Sequence, residues 1–289
     1  MKQLLSFTLL LLAAMACEKP EFSNLQEETP EHGNLTVSIF QLEQTPFSAF
    51  TRSEVADACT RLNFAVYDLD GVRQSQVNQK LGDVNFGTAS FQLAEGSYQL
   101  VAVAHSSDGN PTMTDPSKIK FTNAQGYTDT FLYSDIVTVG EEPQTLPLSL
   151  DRIVALCRFV ITDDIPQEVA RIRFQYKGGS GAFDAFTGLG SVNSTQTLFF
   201  DIASSNAQQQ FDLYTFLHDT EGTIHLMVTA YDKMDTPLNE REFDVPLKQN
   251  IITWVSGPLF NGGNISNSSL STSTINIDTQ WDGEEFIYF

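Results

Sequence analysis

The sequence is poor in the residues from which enzymes most often build their chemistry. It carries three cysteines, four histidines and two tryptophans in 289 residues. His32, His105, His218 and His225 are scattered, and no HExxH places two imidazoles on one helical face to hold zinc. No CxxC occurs. The run Gly178-Gly179-Ser180-Gly181 lacks the spacing of a nucleophile elbow and the lysine and hydroxyl of a phosphate loop, so it is read as a flexible connection. Positive charge is scarce as well, with 16 Lys and Arg against 36 Asp and Glu and a formal charge of -20. That balance excludes a grip on nucleic-acid phosphates and an electrostatic hold on anionic headgroups. No apolar run reaches the roughly 20 residues of a transmembrane helix. The expectation is a protein with no catalytic residue, no metal ligand and no cofactor.

The acidic residues do not reverse that expectation. Asp68 and Asp70 superficially match the start of a calcium loop, but the later oxygen ligands and closing Glu are missing, so a hairpin turn at Asp70-Gly71 is expected. A glycosidase needs two carboxylates facing each other across a cleft, and no pair here is singled out. His105 ends an apolar strand and is read as a satisfied structural histidine. Trp254 and Trp281 lie in strand-like runs, where packing is the expected use.

What the chain does have begins at its start. Behind Lys2 comes LLSFTLLLLAAMA, then Cys17, a charged beginning, an apolar middle and small residues before a cysteine. Residues 1–16 are therefore a secretory signal. Ala14-Met15-Ala16-Cys17 resembles a bacterial lipobox, which makes Cys17 a lipidation site; the alternative is an ordinary signal with Cys17 as an incidental thiol. Residues 17–33, polar and acidic, form a tether between a membrane and the fold. Attachment then depends on acyl chains, and the expected location is the outer membrane with the protein facing outward. Cys59 and Cys157 lie beside apolar strand-like runs in different halves, so buried free thiols are favoured over a single bridge.

From Asn34 onward strand signals dominate. Leu35–Leu42 alternates apolar and polar residues. Further strands are expected at Arg61–Val72, in a hairpin made by FGTASFQL and SYQLVAVAHSS, and at FLYSDIVTV. Asp108 to Asp129 is a long turn-rich loop. Pro147 interrupts the next run, and a new strand is placed at Arg152 to Ile161. Strands then recur near Val169–Tyr176, Gln196–Ile202, Gln210–Leu217, Ile224–Asp232, Glu240–Val245 and Asn250–Val255. This spacing with little amphipathic helix indicates an all-β protein of two tandem β-sandwiches, at 34–149 and 150–262. Residues 263–289 start as a Gly, Ser and Asn-rich link and end in a tail strand, in which Ile275, Ile277 and Trp281 alternate with polar residues. An isolated strand is unstable in water, so the tail must pair with its own second domain or with another protein.

The lipobox, the two all-β halves, LSLDRIVALCRFVITDDIP at the junction and ITWVSGPLF before the tail together resemble the FimB-like fimbrial anchor lipoproteins of the Bacteroidetes fimbrillin superfamily. The resemblance covers nearly the whole mature chain and rests on apolar and turn patterns. It implies transthyretin-like sandwiches, an acylated Cys17, and a non-enzymatic role as pilus anchor or accessory subunit, with pilins as partners. In related stalk subunits a protease removes the first strand after an arginine and a neighbour's C-terminal strand fills the groove. Here Arg52 follows the candidate first strand, and cleavage there would sever the fold from its lipid, so the first strand is expected to stay. Strand addition would use Ile275, Ile277 and Trp281 as plugs. The other reading is a surface glycan-binding lipoprotein of a nutrient-uptake system, which requires exposed aromatics on one face.

Overall fold

Alternating side chains place one face of a strand in a core and the other in water, and a chain dominated by that period must bury its apolar faces sheet against sheet. The computed structural model is accordingly all-β, with sandwich-like sheets. It describes residues 33–42, 55, 58–122, 126–202, 209–261, 271–275 and 283–289.

The first eight strands are β1 (Leu35–Leu42), β2 (Arg61–Tyr67), β3 (Arg73–Lys80), β4 (Thr88–Phe91), β5 (Gly96–His105), β6 (Ile119–Lys120), β7 (Phe131–Val139) and β8 (Gln144–Arg152). Seven of them form one sheet, in the order β3-β2-β5-β7-β8-β1-β4. β7 and β8 are paired only at Phe131 with Arg152 and Leu132 with Asp151. The sheet divides at that corner, and its wings close on a common core: Leu62, Phe64 and Leu100 from one, Leu35, Val37 and Leu150 from the other.

Two expectations are corrected in this half. The strand broken at Pro147 is instead continuous as β8. Pro147 stands opposite Ser38 in the parallel β1 ladder, beyond the two residues that pair with β7, where its missing N–H leaves no ladder bond unmade. The break falls at Ile153 and Val154, one turn later. The expected hairpin before and after Glu95-Gly96 also does not form: β4 pairs with β1, while β5 lies between β2 and β7. The turn carries the chain from one wing to the other.

The remaining strands are β9 (Ala155–Ile161), β10 (Arg171–Lys177), β11 (Gly179–Ser180), β12 (Ala182–Phe183), β13 (Gln196–Asp201), β14 (Gln210–Leu217), β15 (Glu221–Tyr231), β16 (Pro237–Lys248), β17 (Ile251–Gly257), β18 (Ser271–Ile275) and β19 (Gly283–Tyr288). A four-stranded sheet, β13-β10-β15-β16, faces a six-stranded one, β11-β14-β9-β17-β19-β18. Phe174, Leu226 and Phe243 from the first meet Phe159, Leu213 and Val255 from the second. Phe159 and Phe174 touch edge to face at 5.4 Å, an arrangement favoured by the ring quadrupoles.

A third apolar cluster joins the two sandwiches. It takes Tyr67 and Val103 from the outer side of the first, Phe216 from the second, and Met113, Phe121 and Phe183 from connections. Gly33–Phe289 accordingly forms one compact unit. The Gly-rich run 178–181, expected to be a flexible connection, belongs to this seam. Gly179 and Ser180 pair with β14, and Ala182 and Phe183 pair with β6. The Asp108–Asp129 loop is buried there at Met113, Ile119, Phe121 and Tyr127. Glycines were needed because neighbouring backbone and side chains approach closely, so the same residues that suggest flexibility here permit packing.

Candidate functional site

The features that best fit a function in this fold are the two terminal strands, each of which completes a sandwich. β1 lies between β4 and β8, antiparallel to the one and parallel to the other. Leu35, Val37 and Ile39 face inward by the two-residue period, and an irregularity between Ile39 and Gln41 turns Leu42 inward as well. Four buried aliphatic side chains on one strand contribute roughly 6–12 kcal/mol of burial, comparable with the net stability of a domain. Without β1, the first sandwich would present an open apolar groove.

At the other end, β19 runs parallel to β17, and β18 pairs antiparallel with β19 to form the sheet edge. Ile287 is fully buried in the core. Phe289 packs on Phe159 and Phe243, with centroids 5.1 and 4.7 Å away, and Arg241 lies 5.0 Å over its ring. Its backbone presses on β17: a Cβ on Gly257 would stand 2.2 Å from the Phe289 carbonyl oxygen. Lys248 Nζ donates to Glu285 Oε1 at 2.6 Å. The segment leaving β17 is held too, because the Asp163 carboxylate accepts the N–H groups of Leu259, Phe260 and Asn261 at 2.7–2.8 Å.

On the outer face of the same sheet, register aligns one row of side chains across four strands. Asp212 stands opposite Arg158, Arg158 opposite Trp254, and Trp254 opposite Phe286. Arg158 makes a bidentate ion pair with Asp212 at 2.7 and 2.8 Å and lies 4.9 Å over the Trp254 ring. Phe286 stacks on Trp254 at 5.7 Å and 10°. The row ties β19 to β14 through side chains alone. Arg158 and Phe286 occupy the ring of Trp254, so it does not offer the bare aromatic platform that a stacked sugar needs.

Of the residues singled out in the tail, Ile275 is the last residue of β18, opposite Glu284. Ile277 and Trp281 lie outside the described residues, as do Cys17 and Arg52. Strand pairing here falls on Ser271–Ile275 and Gly283–Tyr288. The core-filling residues of this segment that sequence reasoning missed are Ile287 and Phe289, with Phe286 on the outer face against Trp254. The apolar run FIYF was available as a signal, but the two acidic residues ahead of it masked a strand that buries both.

The other candidates find structural partners. His105 is fully buried, its Nε2 2.8 Å from Asn63 Oδ1 and its Nδ1 accepting the Ser107 N–H at 3.1 Å. Burial, and then the Arg61 charge, push its pKa down to about 4, so the ring is neutral at ordinary pH. Asp68 Oδ1 accepts the N–H groups of Asp70 and Val72, which builds the expected turn with Gly71 in the left-handed region at φ 80°. Cys59 and Cys157 are buried free thiols in separate cores, and burial raises both to about 12. Among the described residues no group of three or more His, Cys, Asp or Glu is placed to hold a metal ion.

The sequence matches a family over residues 27–288, one described as a family of unknown function, DUF6562. The chain belongs to DUF6562. No curated protein matches it. Among solved structures, this DUF6562 chain is similar to a candidate adhesin from Bacteroides ovatus, with 17% identity, 73% of this chain and 82% of that one covered, and a TM-score of 0.49. It is also similar to the fimbrial anchor protein Mfa2 from Porphyromonas gingivalis, with 11% identity, coverage of 72% and 80%, and a TM-score of 0.43. A fimbrial assembly protein from Parabacteroides distasonis shows 13% identity, coverage of 88% and 97%, and a TM-score of 0.41.

Proposed function

We propose that this DUF6562 chain is a non-enzymatic, lipid-anchored subunit of a surface fimbria, an anchor or accessory component that joins pilins by β-strand addition. In this reading Cys17 carries the lipid at the outer membrane, residues 17–33 are the tether, 34–149 and 150–262 are tandem transthyretin-like sandwiches, and 263–289 is the pairing tail. The observation that carries it is the position of the terminal strands: β1 and β19 each seal a core with alternate side chains and join their neighbours through main-chain pairing. Main-chain bonds of this kind are reproduced by any strand, while pocket-filling residues select the right one. Ile275, Ile277 and Trp281 remain the proposed plugs for a partner when the tail engages in trans, with Ile287 and Phe289 sealing it in cis. An anchor keeps β1, so Arg52 stays uncleaved.

The decisive experiment deletes the chain from Gly263 onward in its native host and measures fimbriae retained on cells against fimbriae shed into the medium. Shedding with normal pilin production supports the reading, and unchanged retention overturns the role of the tail. Labelling with a fatty-acid analogue tests the anchor: the label is expected on the protein and lost in Cys17→Ser. A mature form on the assembled organelle that begins at Ser53 would refute the anchor role.

A further inference from the structure

The four-stranded sheet β13-β10-β15-β16 has two faces, and the core of the second sandwich uses one of them. Phe174 and Tyr176 of β10 and Leu226 and Val228 of β15 point into that core, so the residues between them point outward. The ladders set the outward residues in rows across three strands. Lys177 stands opposite His225, and His225 opposite Asp244. The next row is Gln175, Met227 and Glu242, and the third is Arg173, Thr229 and Glu240. Along the strands, then, β10 carries the cations and β16 the anions, with β15 between them. We infer that this outer face is a self-association surface, which takes a second copy of this chain face to face about a two-fold axis. The surface uses side chains and neither terminal strand, so it stands or falls separately from the proposed fimbrial role.

The argument for a second copy is the charge pattern. A two-fold axis lying along β15 lays β10 of each copy over β16 of the other, in the aligned packing that two sheet faces adopt. That rotation keeps the level along the strands. Lys177 of one copy therefore meets Asp244 of the other, and Arg173 meets Glu240, each contact occurring twice. Elsewhere two copies of a chain with a formal charge of -20 repel each other. On this face the rotation exchanges cations for anions, so the same operation that brings the copies together turns repulsion into attraction.

The groups concerned are also available. Lys177 is exposed and makes no ion pair among the described residues. The side chains of Glu240, Glu242 and Asp244 are each half or more exposed. Pairing within the sheet engages them only in part: Arg173 lies 3.5 Å from Glu240, His225 lies 3.7 Å from Glu242, and Asp244 meets His225 through one oxygen at 2.8 Å. Stacking holds the arginines in place. Arg171, which also pairs with Asp235 at 2.8 Å, lies 4.9 Å over the Phe199 ring and 5.5 Å over that of Tyr231, and Arg173 lies 5.4 Å over Tyr231. Their order therefore costs little when a partner arrives. Phe199 is 52% exposed, and with Met227 and Tyr231 it gives the face the aromatic, Met and Arg content that marks interface centres.

The test is sedimentation of the compact unit Gly33–Phe289 over a range of micromolar concentrations, in low salt and in roughly 0.5 M NaCl. A dimer that weakens as salt rises is expected. Lys177→Glu opposes carboxylates at both symmetry-related contacts, and Asp244→Lys opposes cations there, so each variant should weaken the dimer about tenfold at unchanged melting temperature. An equimolar mixture of the two variants should regain the wild-type affinity, because a mixed dimer joins opposite charges at both contacts. A monomer at every concentration, a dimer indifferent to both substitutions, or a mixture no tighter than its components would each overturn the inference. A monomer that binds a pilin as wild type and fails to do so as Lys177→Glu would overturn it too, and give the face to that pilin.

Discussion

Arg152 and Asn250 meet across the seam of the molecule, Nη1 donating to Oδ1 at 2.9 Å although 98 residues separate them in sequence. Arg152 closes β8 of the first sandwich, and Asn250 forms the turn into β17 of the second. The same guanidinium makes a bidentate bond to Asp129 at 2.7 and 3.0 Å and lies 4.9 Å over Phe131. Asn250 holds a left-handed conformation, φ 58°, and its N–H donates to the Val154 carbonyl at 2.9 Å. A fully buried cation thus supports the joint between the sandwiches, with the third apolar cluster around it.

Removing that cation should be costly. Arg152→Ala takes away the cation from which Asp129 and Asn250 both accept, and a loss of about 3 kcal/mol in unfolding free energy is expected by urea titration. Calorimetry should show one transition for the wild type and a split or broadened one for the variant, because the coupling is lost while both cores remain. A single sharp transition near the wild-type temperature would mean that the seam is held by the apolar cluster alone.

Asn250 separates backbone from side chain. Asn250→Gly keeps the left-handed turn and loses the acceptor, whereas Asn250→Ala loses both, so alanine should be the worse substitution by about 1 kcal/mol. Equal destabilisation of the two variants would assign the whole effect to Oδ1.

His105 supplies a pH dependence with a definite sign. Its folded pKa of about 4 lies below the ordinary 6.5, so above pH 6.5 both folded and unfolded states are neutral and its contribution is complete. As pH falls from 6.5 toward 4, the unfolded chain takes up a proton that the buried ring refuses, and stability is lost, roughly 3 kcal/mol over the interval. In His105→Gln that component is missing. The stability difference between wild type and variant should shrink between pH 7 and pH 5, and parallel curves would contradict a neutral buried ring.

Much of this architecture was legible as period-two alternation. Leu35–Leu42 and Gln210–Leu217 could be bounded directly, since their inward residues alternate and both ends carry polar connections. The seam was not legible, because short pieces such as Ile119–Lys120 and Ala182–Phe183 show no period, and the glycines just ahead of the second suggested freedom where they permit contact. β3 was hidden for another reason: RQSQVNQK is an edge strand, polar on nearly every side chain and placed only by its ladder with β2. Of the site, a tail strand was expected at Ile275 to Trp281, most of which lies outside the described residues, whereas the described strands are Ser271–Ile275 and Gly283–Tyr288. Glu284 and Glu285 are buried at 9 and 8% exposure, which no alternation rule predicts for carboxylates. Lys248 accounts for Glu285 only after folding has brought β16 beside it.

The Trp254 row gives a substitution whose outcome runs against intuition. Trp254 Nε1 is buried without a hydrogen-bond partner among the described residues. Trp254→Phe retains a ring between Arg158 and Phe286 while removing an unsatisfied donor, so it should be neutral or stabilising, whereas Trp254→Ala should cost about 3 kcal/mol or more. A phenylalanine variant as damaged as the alanine one would show that the indole nitrogen has a partner in solution.

The hold on the C-terminus can be released without touching its side chains. Gly257→Ala places a methyl group 2.2 Å from the Phe289 carbonyl oxygen, and the obstacle is backbone that no rotamer change can clear. The terminal residues should lift from β17, taking Phe289 off Phe159 and Phe243 while β9 and β14 stay paired. Hydrogen exchange at 284–288 should accelerate strongly in this variant, with the amides of Gln210–Leu217 protected as before. Ile287→Ala is the comparison: it should destabilise by about 2–5 kcal/mol through a cavity in the shared core, and so raise exchange across the whole sandwich. If Gly257→Ala leaves the terminal amides as slow as in the wild type, the last strand is fixed by its side chains and main-chain pairing, and the fit of Phe289 against Gly257 contributes nothing to keeping it closed.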